Sequence, residues 1–154
     1  MTLENFIYES VSEILNDKYE EVKIRIEKHK EIYLDDTAIC LTLLALGAFI
    51  KKDYDSFYQF MNDTTFLVEQ SSGAITKILH EMVLAYVNFS EKNTELYSIN
   101  YNKARKLSIK NQKTDFFEKL NSLLKCPSVT HYCSHNQGKD PLIALVNIGQ
   151  AVAA

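Results

Sequence analysis

Leu44-Ala45-Leu46-Gly47-Ala48-Phe49-Ile50-Lys51-Lys52-Asp53-Tyr54-Asp55 is the stretch that decides the fold. An apolar run at helical spacing ends on two lysines, the favourable sign of charge for a helix C-terminus, and Asp53 then offers a side-chain oxygen to start a second helix. Slid forward by 40 residues, segment 44–67 falls on 84–107 with six identities in 24 positions: Leu44/Leu84, Ala45/Ala85, Phe49/Phe89, Lys52/Lys92, Asn62/Asn102 and Leu67/Leu107. Asp53 meets Asn93 at the two caps, Phe57 meets Tyr97, and Met61 meets Tyr101. Each copy reads as helix, polar turn, helix, with Leu44 and Leu84 expected at enclosed positions. An earlier echo sets Asp17-Lys18-Tyr19 against Lys52-Asp53-Tyr54, which relates the first hairpin to the other two.

Working outward, apolar residues recur at helical steps along the chain: Phe6, Ile7, Val11 and Ile14; Tyr19, Val22 and Ile26; then Ala38 to Ile50, apolar nearly all round and therefore a central helix. The pattern resumes after Asp53, after Ser71-Ser72-Gly73, after Asn93 and after Thr114. Asn16-Asp17 is read as a break that caps the second helix. Asp140-Pro141 is a helix start, Asp as cap and Pro at the first helical position, leading into the uncharged segment Leu142 to Ala154. The expectation is an all-α chain of about eight helices without a strand: a helical-repeat domain over 1–125, a Cys/His-containing loop over 126–139, and an apolar capping helix over 140–154. Only four glycines and two prolines in 154 residues leave few sites for the tight turns of a β-protein.

Leu44-Ala45, Phe49 and Lys52-Asp53-Tyr54-Asp55 together resemble the turn of a tetratricopeptide-like repeat, in which a leucine and a small residue precede a turn ending in Asp-Tyr. The resemblance covers about residues 38–110. It implies hairpins stacked as a short α-solenoid with a binding face. Two departures stand out: bulky Phe57 and Tyr97 replace the small residue of the second helix, and the 40-residue spacing exceeds the usual 34. No ligand-clamp residue is carried over.

Composition excludes several classes. Met1-Thr2-Leu3-Glu4 has no basic segment followed by an apolar run, so no signal peptide is read, and Ala38 to Ile50 is too short to span a bilayer. Three cysteines form no disulfide framework, which fits a reducing, cytoplasmic setting. The net charge of −3 conceals an asymmetry, since residues 1–36 hold 10 acids and 5 bases and residues 91–125 hold 4 acids and 8 bases.

Within the basic end, Lys103, Lys106, Lys110 and Lys113 recur at three- and four-residue steps with Arg105 nearby, a face suited to an acidic peptide or carboxylate. Tyr97 and Tyr101 are candidate groove aromatics beside it. An acidic overall composition, with a pI near 5.8, disfavours nucleic acid as the ligand.

Cys126, His131, Cys133 and His135 place four potential zinc ligands in ten residues, but the thiols lack the close knuckle spacing of zinc sites. Cys133 beside two histidines is the one arrangement that suggests a nucleophile, and no orienting group accompanies it. His80-Glu81 lacks the second histidine of a helical zinc-protease motif, and no glycine-rich phosphate loop exists.

The functional expectation is therefore a non-enzymatic protein- or peptide-binding module, an adaptor or regulator, needing no cofactor. The alternatives are a small immunity protein that neutralises one specific partner, and a metal- or thiol-dependent enzyme centred on 126–135. The uncharged segment 141–154 suggests a homodimer through that end.

Overall fold

The computed structural model describes residues 2–29 and 37–127. These form seven α-helices, and no strand occurs among the described residues. They are α1 (Leu3–Leu15), α2 (Tyr19–His29), α3 (Thr37–Ile50), α4 (Tyr54–Gln70), α5 (Ala74–Ser90), α6 (Thr94–Lys110) and α7 (Thr114–Leu124). The fold is all-α, a helical repeat. The expected loop and capping helix lie outside the described residues from 128 onward, as does the proposed dimer contact at 141–154. None of the helices described is long and apolar enough to cross a membrane.

Four turns share one geometry. The αL residues are Asp17, Lys52, Lys92 and Gln112, with φ of 65°, 64°, 64° and 58°. Each closes its helix with the same pair of backbone hydrogen bonds: at the second turn Asp53 N–H donates to the Ala48 carbonyl at 2.9 Å and Lys52 N–H to the Phe49 carbonyl at 3.0 Å. At the third turn Asn93 N–H donates to Asn88 at 2.8 Å and Lys92 N–H to Phe89 at 3.1 Å. The first and fourth turns repeat the pattern through Lys18 to Glu13 and Lys113 to Ser108. This geometry corrects the reading of Asp17 as a cap of α2. Asp17 is the αL residue itself, and its carboxylate reaches Lys51 Nζ at 2.8 Å.

Burial follows the 40-residue offset through both helices of the repeat. In α4 the buried side chains are Phe57, Met61, Thr64 and Val68, and in α6 they are Tyr97, Tyr101, Ala104 and Ser108, position for position. In α3 Ala38, Ile39, Leu43 and Ala45 are buried, as are Ile78, Leu79, Val83 and Ala85 in α5. Leu44 and Leu84 obey the same register but are part-exposed, because they stand next to the fully buried Leu43 and Val83 and point off the core face. The expectation that this leucine pair is enclosed is corrected.

The chain divides into two compact units, Met1–His80 and Glu81–Ala154. In the first, α3 packs on α4, α1 and α2. Tyr19 crosses from α2 to α3, where its hydroxyl donates to the Leu44 carbonyl at 2.9 Å and its ring lies over Gly47. Gly47 is required there: a Cβ would sit 2.0 Å from Tyr19 Cε1. Phe49 and Phe57 meet across the α3–α4 turn, their rings tilted and 5.5 Å apart. Glu13 of α1 pairs with Arg25 of α2, and the guanidinium holds the carboxyl below its usual range.

In the second unit, α6 packs on α7, and Phe89 meets Tyr97 at 5.2 Å, the counterpart of the Phe49–Phe57 pair. Tyr101 meets Phe117 edge-on at 5.4 Å. The buried hydroxyls of Thr42, Thr64 and Ser108 donate to carbonyls one turn earlier in their own helices, which satisfies them without a tertiary partner.

Candidate functional site

With its core face marked by Tyr97, Tyr101, Ala104 and Ser108, α6 turns the opposite face outward. Leu96, Ile99, Lys103, Lys106 and Lys110 follow one another on that face at three- and four-residue steps, and all are exposed. Leu96 and Ile99 each keep 51% of their surface in solvent. The face is therefore divided along its length, apolar in the first turns and cationic in the last ones. Lys110 in the final turn also complements the helix dipole.

The basic stripe expected from the sequence is only partly one surface. Lys103, Lys106 and Lys110 share the α6 face, and Arg105 is exposed on its flank. Lys113 does not belong to it. The Asn111-Gln112 turn, with Gln112 in the αL conformation, ends α6 and makes Lys113 the N-cap residue of α7.

Tyr97 and Tyr101 are corrected as groove residues. They are 0% and 5% exposed and form the interior of the hairpin, with Tyr97 Oη donating to the Pro127 carbonyl and Tyr101 Oη accepting from Asn121 at 3.4 Å. A tyrosine placed on the core side of a helix buries its ring while its hydroxyl reaches a partner at the edge.

A polar ladder runs from the start of α6 to the first of its lysines. Asn93 Nδ2 donates to Asn88 Oδ1 at 3.3 Å, Asn88 Nδ2 to Asn100 Oδ1 at 2.8 Å, and Asn100 Nδ2 to Glu81 Oε1 at 3.0 Å. Lys103 Nζ stands 3.5 Å from Glu81 Oε2. Glu81 and Asn88 are seven residues apart on α5, and Asn93 and Asn100 are seven apart across the start of α6, so two turns of each helix bring all four to one seam. The Glu81 side chain retains 11% exposure, which makes the hydrogen bond it accepts from Asn100 structurally consequential. Because Asn93 turns its amide to Asn88, it makes no side-chain cap of α6, unlike Asp53, which accepts from Ser56 N–H at 3.3 Å. The heptad spacing of Glu81, Asn88, Asn93 and Asn100 was legible as a pattern but carried no sign that the two heptads face each other.

Of the four weak metal candidates, Cys126 lies within the described residues, while His131, Cys133 and His135 lie outside them. Cys126 is buried, and burial pushes its thiol up to about 12, against the thiolate form that a ligand or nucleophile needs. Among the described residues no group of three or more His, Cys, Asp and Glu side chains gathers in metal-binding geometry. No protein-family model, curated protein or solved structure matches this chain.

Proposed function

We propose that this chain is a non-enzymatic helical-repeat module, tetratricopeptide-like in its hairpins, that binds a protein or peptide through the outer face of α6. The observation that carries the reading is the composition of that face: two apolar side chains half in solvent, Leu96 and Ile99, continued by Lys103, Lys106 and Lys110. A solvated helix face does not need two large apolar residues one turn apart, whereas a helix-in-groove or helix-on-helix contact uses anchors at i and i+3. The lysines add steering and discrimination toward an acidic partner.

Support for the tetratricopeptide-like assignment comes from the repeated αL turn at Lys52 and Lys92, with Asp53-Tyr54 and Asn93-Thr94 opening the next helices. The non-enzymatic part rests on Cys126, whose burial and raised pKa oppose activation, and on Glu81, which is held by Asn100 and Lys103. Cys40 and Cys126 are both buried, as suits a reducing compartment such as cytoplasm.

The test compares capture from native lysate by the wild-type chain and by the double variant Lys106→Glu/Lys110→Glu, read by quantitative mass spectrometry. Lys103 is left in place because it faces Glu81. The expected result is a partner recovered at low salt, reduced several-fold at high salt and lost with the variant, while helical content is kept and the melting temperature falls by no more than a few degrees, the cost of a reversed charge in the last turn of α6. Equal recovery by both proteins assigns the lysines to solvation and refutes the reading.

A further inference from the structure

Two exposed strips of this chain carry the same order of chemistry. On α2, Glu20, Ile24 and Lys28 follow one another at steps of four, and on α6 so do Glu95, Ile99 and Lys103. All six side chains are exposed, with Ile24 at 61% and Ile99 at 51%. Steps of four place each triad along one helical ridge. When two such ridges run antiparallel, acid meets base at both ends and isoleucine meets isoleucine in the middle.

We infer that α6 of one copy docks antiparallel on α2 of a second copy, with Glu95 against Lys28, Ile99 against Ile24, and Lys103 against Glu20. The inference rests on the α6 face being an interaction surface, as proposed above, and names its occupant. Charge complementarity selects the mixed pair over both self-pairings, and two copies of α2 about Ile24 would set Glu21 against Glu27, two exposed acids. Two copies of α6 would bring together helices that each carry Lys103, Arg105, Lys106 and Lys110 against one acid, Glu95, whereas α2 balances Glu20, Glu21 and Glu27 against Lys23, Arg25 and Lys28. The acidic end of the chain and its basic end thus become the two halves of one contact.

Two competing contacts are modest. Glu20 lies 3.5 Å from Lys23 within its own helix, with both side chains largely in solvent, and Lys103 keeps 62% exposure beside Glu81. An 11-residue ridge against part of a 17-residue helix buries far less than the ~1,600 Å² of a standard interface. The association is consequently weak, salt-sensitive and heterologous, the same two different patches being used by every copy.

The experiment is sedimentation equilibrium of the full chain over a concentration series at low and high salt. Wild type should show concentration-dependent mass at low salt that falls away at high salt. Lys28→Glu alone and Glu95→Lys alone should each weaken association by about five- to ten-fold, and the double variant Lys28→Glu/Glu95→Lys should restore it to within about two-fold of wild type. Circular dichroism melts of all four proteins show that each is folded. A wild-type chain that stays monomeric up to about 1 mM at low salt overturns the inference. So does a Lys28→Glu chain that associates as well as wild type, which would assign the contact to α6 alone. A monomeric chain whose captured partner is lost with Lys106→Glu/Lys110→Glu also overturns self-pairing, while leaving the protein-binding reading standing.

Discussion

Replacing Gly47 by alanine should destabilise the protein although alanine is the better helix former. In an open helix the change would stabilise by up to about 1 kcal/mol. Here the new Cβ would stand 2.0 Å from Tyr19 Cε1, 2.1 Å from Cδ1 and 2.7 Å from Cζ, so the ring has to retreat by well over an ångström. Overpacking of a filled core costs about 1–3 kcal/mol, and a shift of this size belongs at the upper end. Moving the ring also strains the hydroxyl bond to the Leu44 carbonyl. Expulsion of the ring sets a ceiling of about 3–5 kcal/mol, the cost of deleting a buried aromatic.

Set against the propensity gain, the net loss is about 2 kcal/mol. Urea unfolding followed by circular dichroism measures it directly. A double-mutant cycle removes the ambiguity: in a Tyr19→Ala background Gly47→Ala should stabilise by about 0.5–1 kcal/mol, for a coupling of about 3 kcal/mol. If Gly47→Ala has the same effect in both backgrounds, within about 0.5 kcal/mol, the ring does not sit on Gly47 and the packing of α2 on α3 described above is wrong.

Further expectations follow from the same structure. Leu43→Ala should cost about 2–5 kcal/mol, while its part-exposed neighbour Leu44→Ala should cost less than half as much, and equal losses in thermal unfolding would show the register to be off by one. Lys92 holds φ of 64° with a side chain, so Lys92→Gly should raise stability by about 0.5–1 kcal/mol, and a drop in urea midpoint would refute the αL geometry of that turn. Burial pushes the Tyr19 hydroxyl up to about 12 from its ordinary 10, so the folded state favours the protonated phenol. That contribution is complete below pH 10 and is lost as pH rises from about 10 to 12. Tyr19→Phe should lose about 1 kcal/mol at neutral pH and show a shallower alkaline decline, with Tyr86, Tyr101 and Cys126, all raised by burial, accounting for what remains. Parallel alkaline declines in the two proteins would refute that placement of Tyr19.

The helices and their order were legible in the sequence because both are local matters. Apolar residues at three- and four-residue steps mark α1 to α7, and Asp53, Asn93 and Thr114 mark where helices begin, since caps and periodicity act within a turn or two of chain. The 40-residue offset was legible for the same reason. Equivalent positions of two hairpins face equivalent surroundings, so Phe57 and Tyr97, or Ile39 and Leu79, are buried alike.

Side-chain assignments that depend on a second helix were not legible. Leu44 and Leu43 look interchangeable along the chain, and only the packing of α3 on its neighbours puts one inside and leaves the other part-exposed. The sequence puts aromatics such as Tyr97 and Tyr101 mostly in the core and leaves a groove open to some of them, and only the packing around α6 covers both, Phe117 and Asn121 of α7 meeting Tyr101. Lys113 keeps step with the α6 lysines in sequence, yet one αL residue at Gln112 moves it to the next helix. Glu81 and Asn100 are 19 residues apart, and the hydrogen bond between them exists because the turn at Lys92 folds α6 back along α5. Local spacing states which residues share a helix face; which face is covered, and by what, is decided by the packing energy of segments distant in the chain, and that is a property of the tertiary structure.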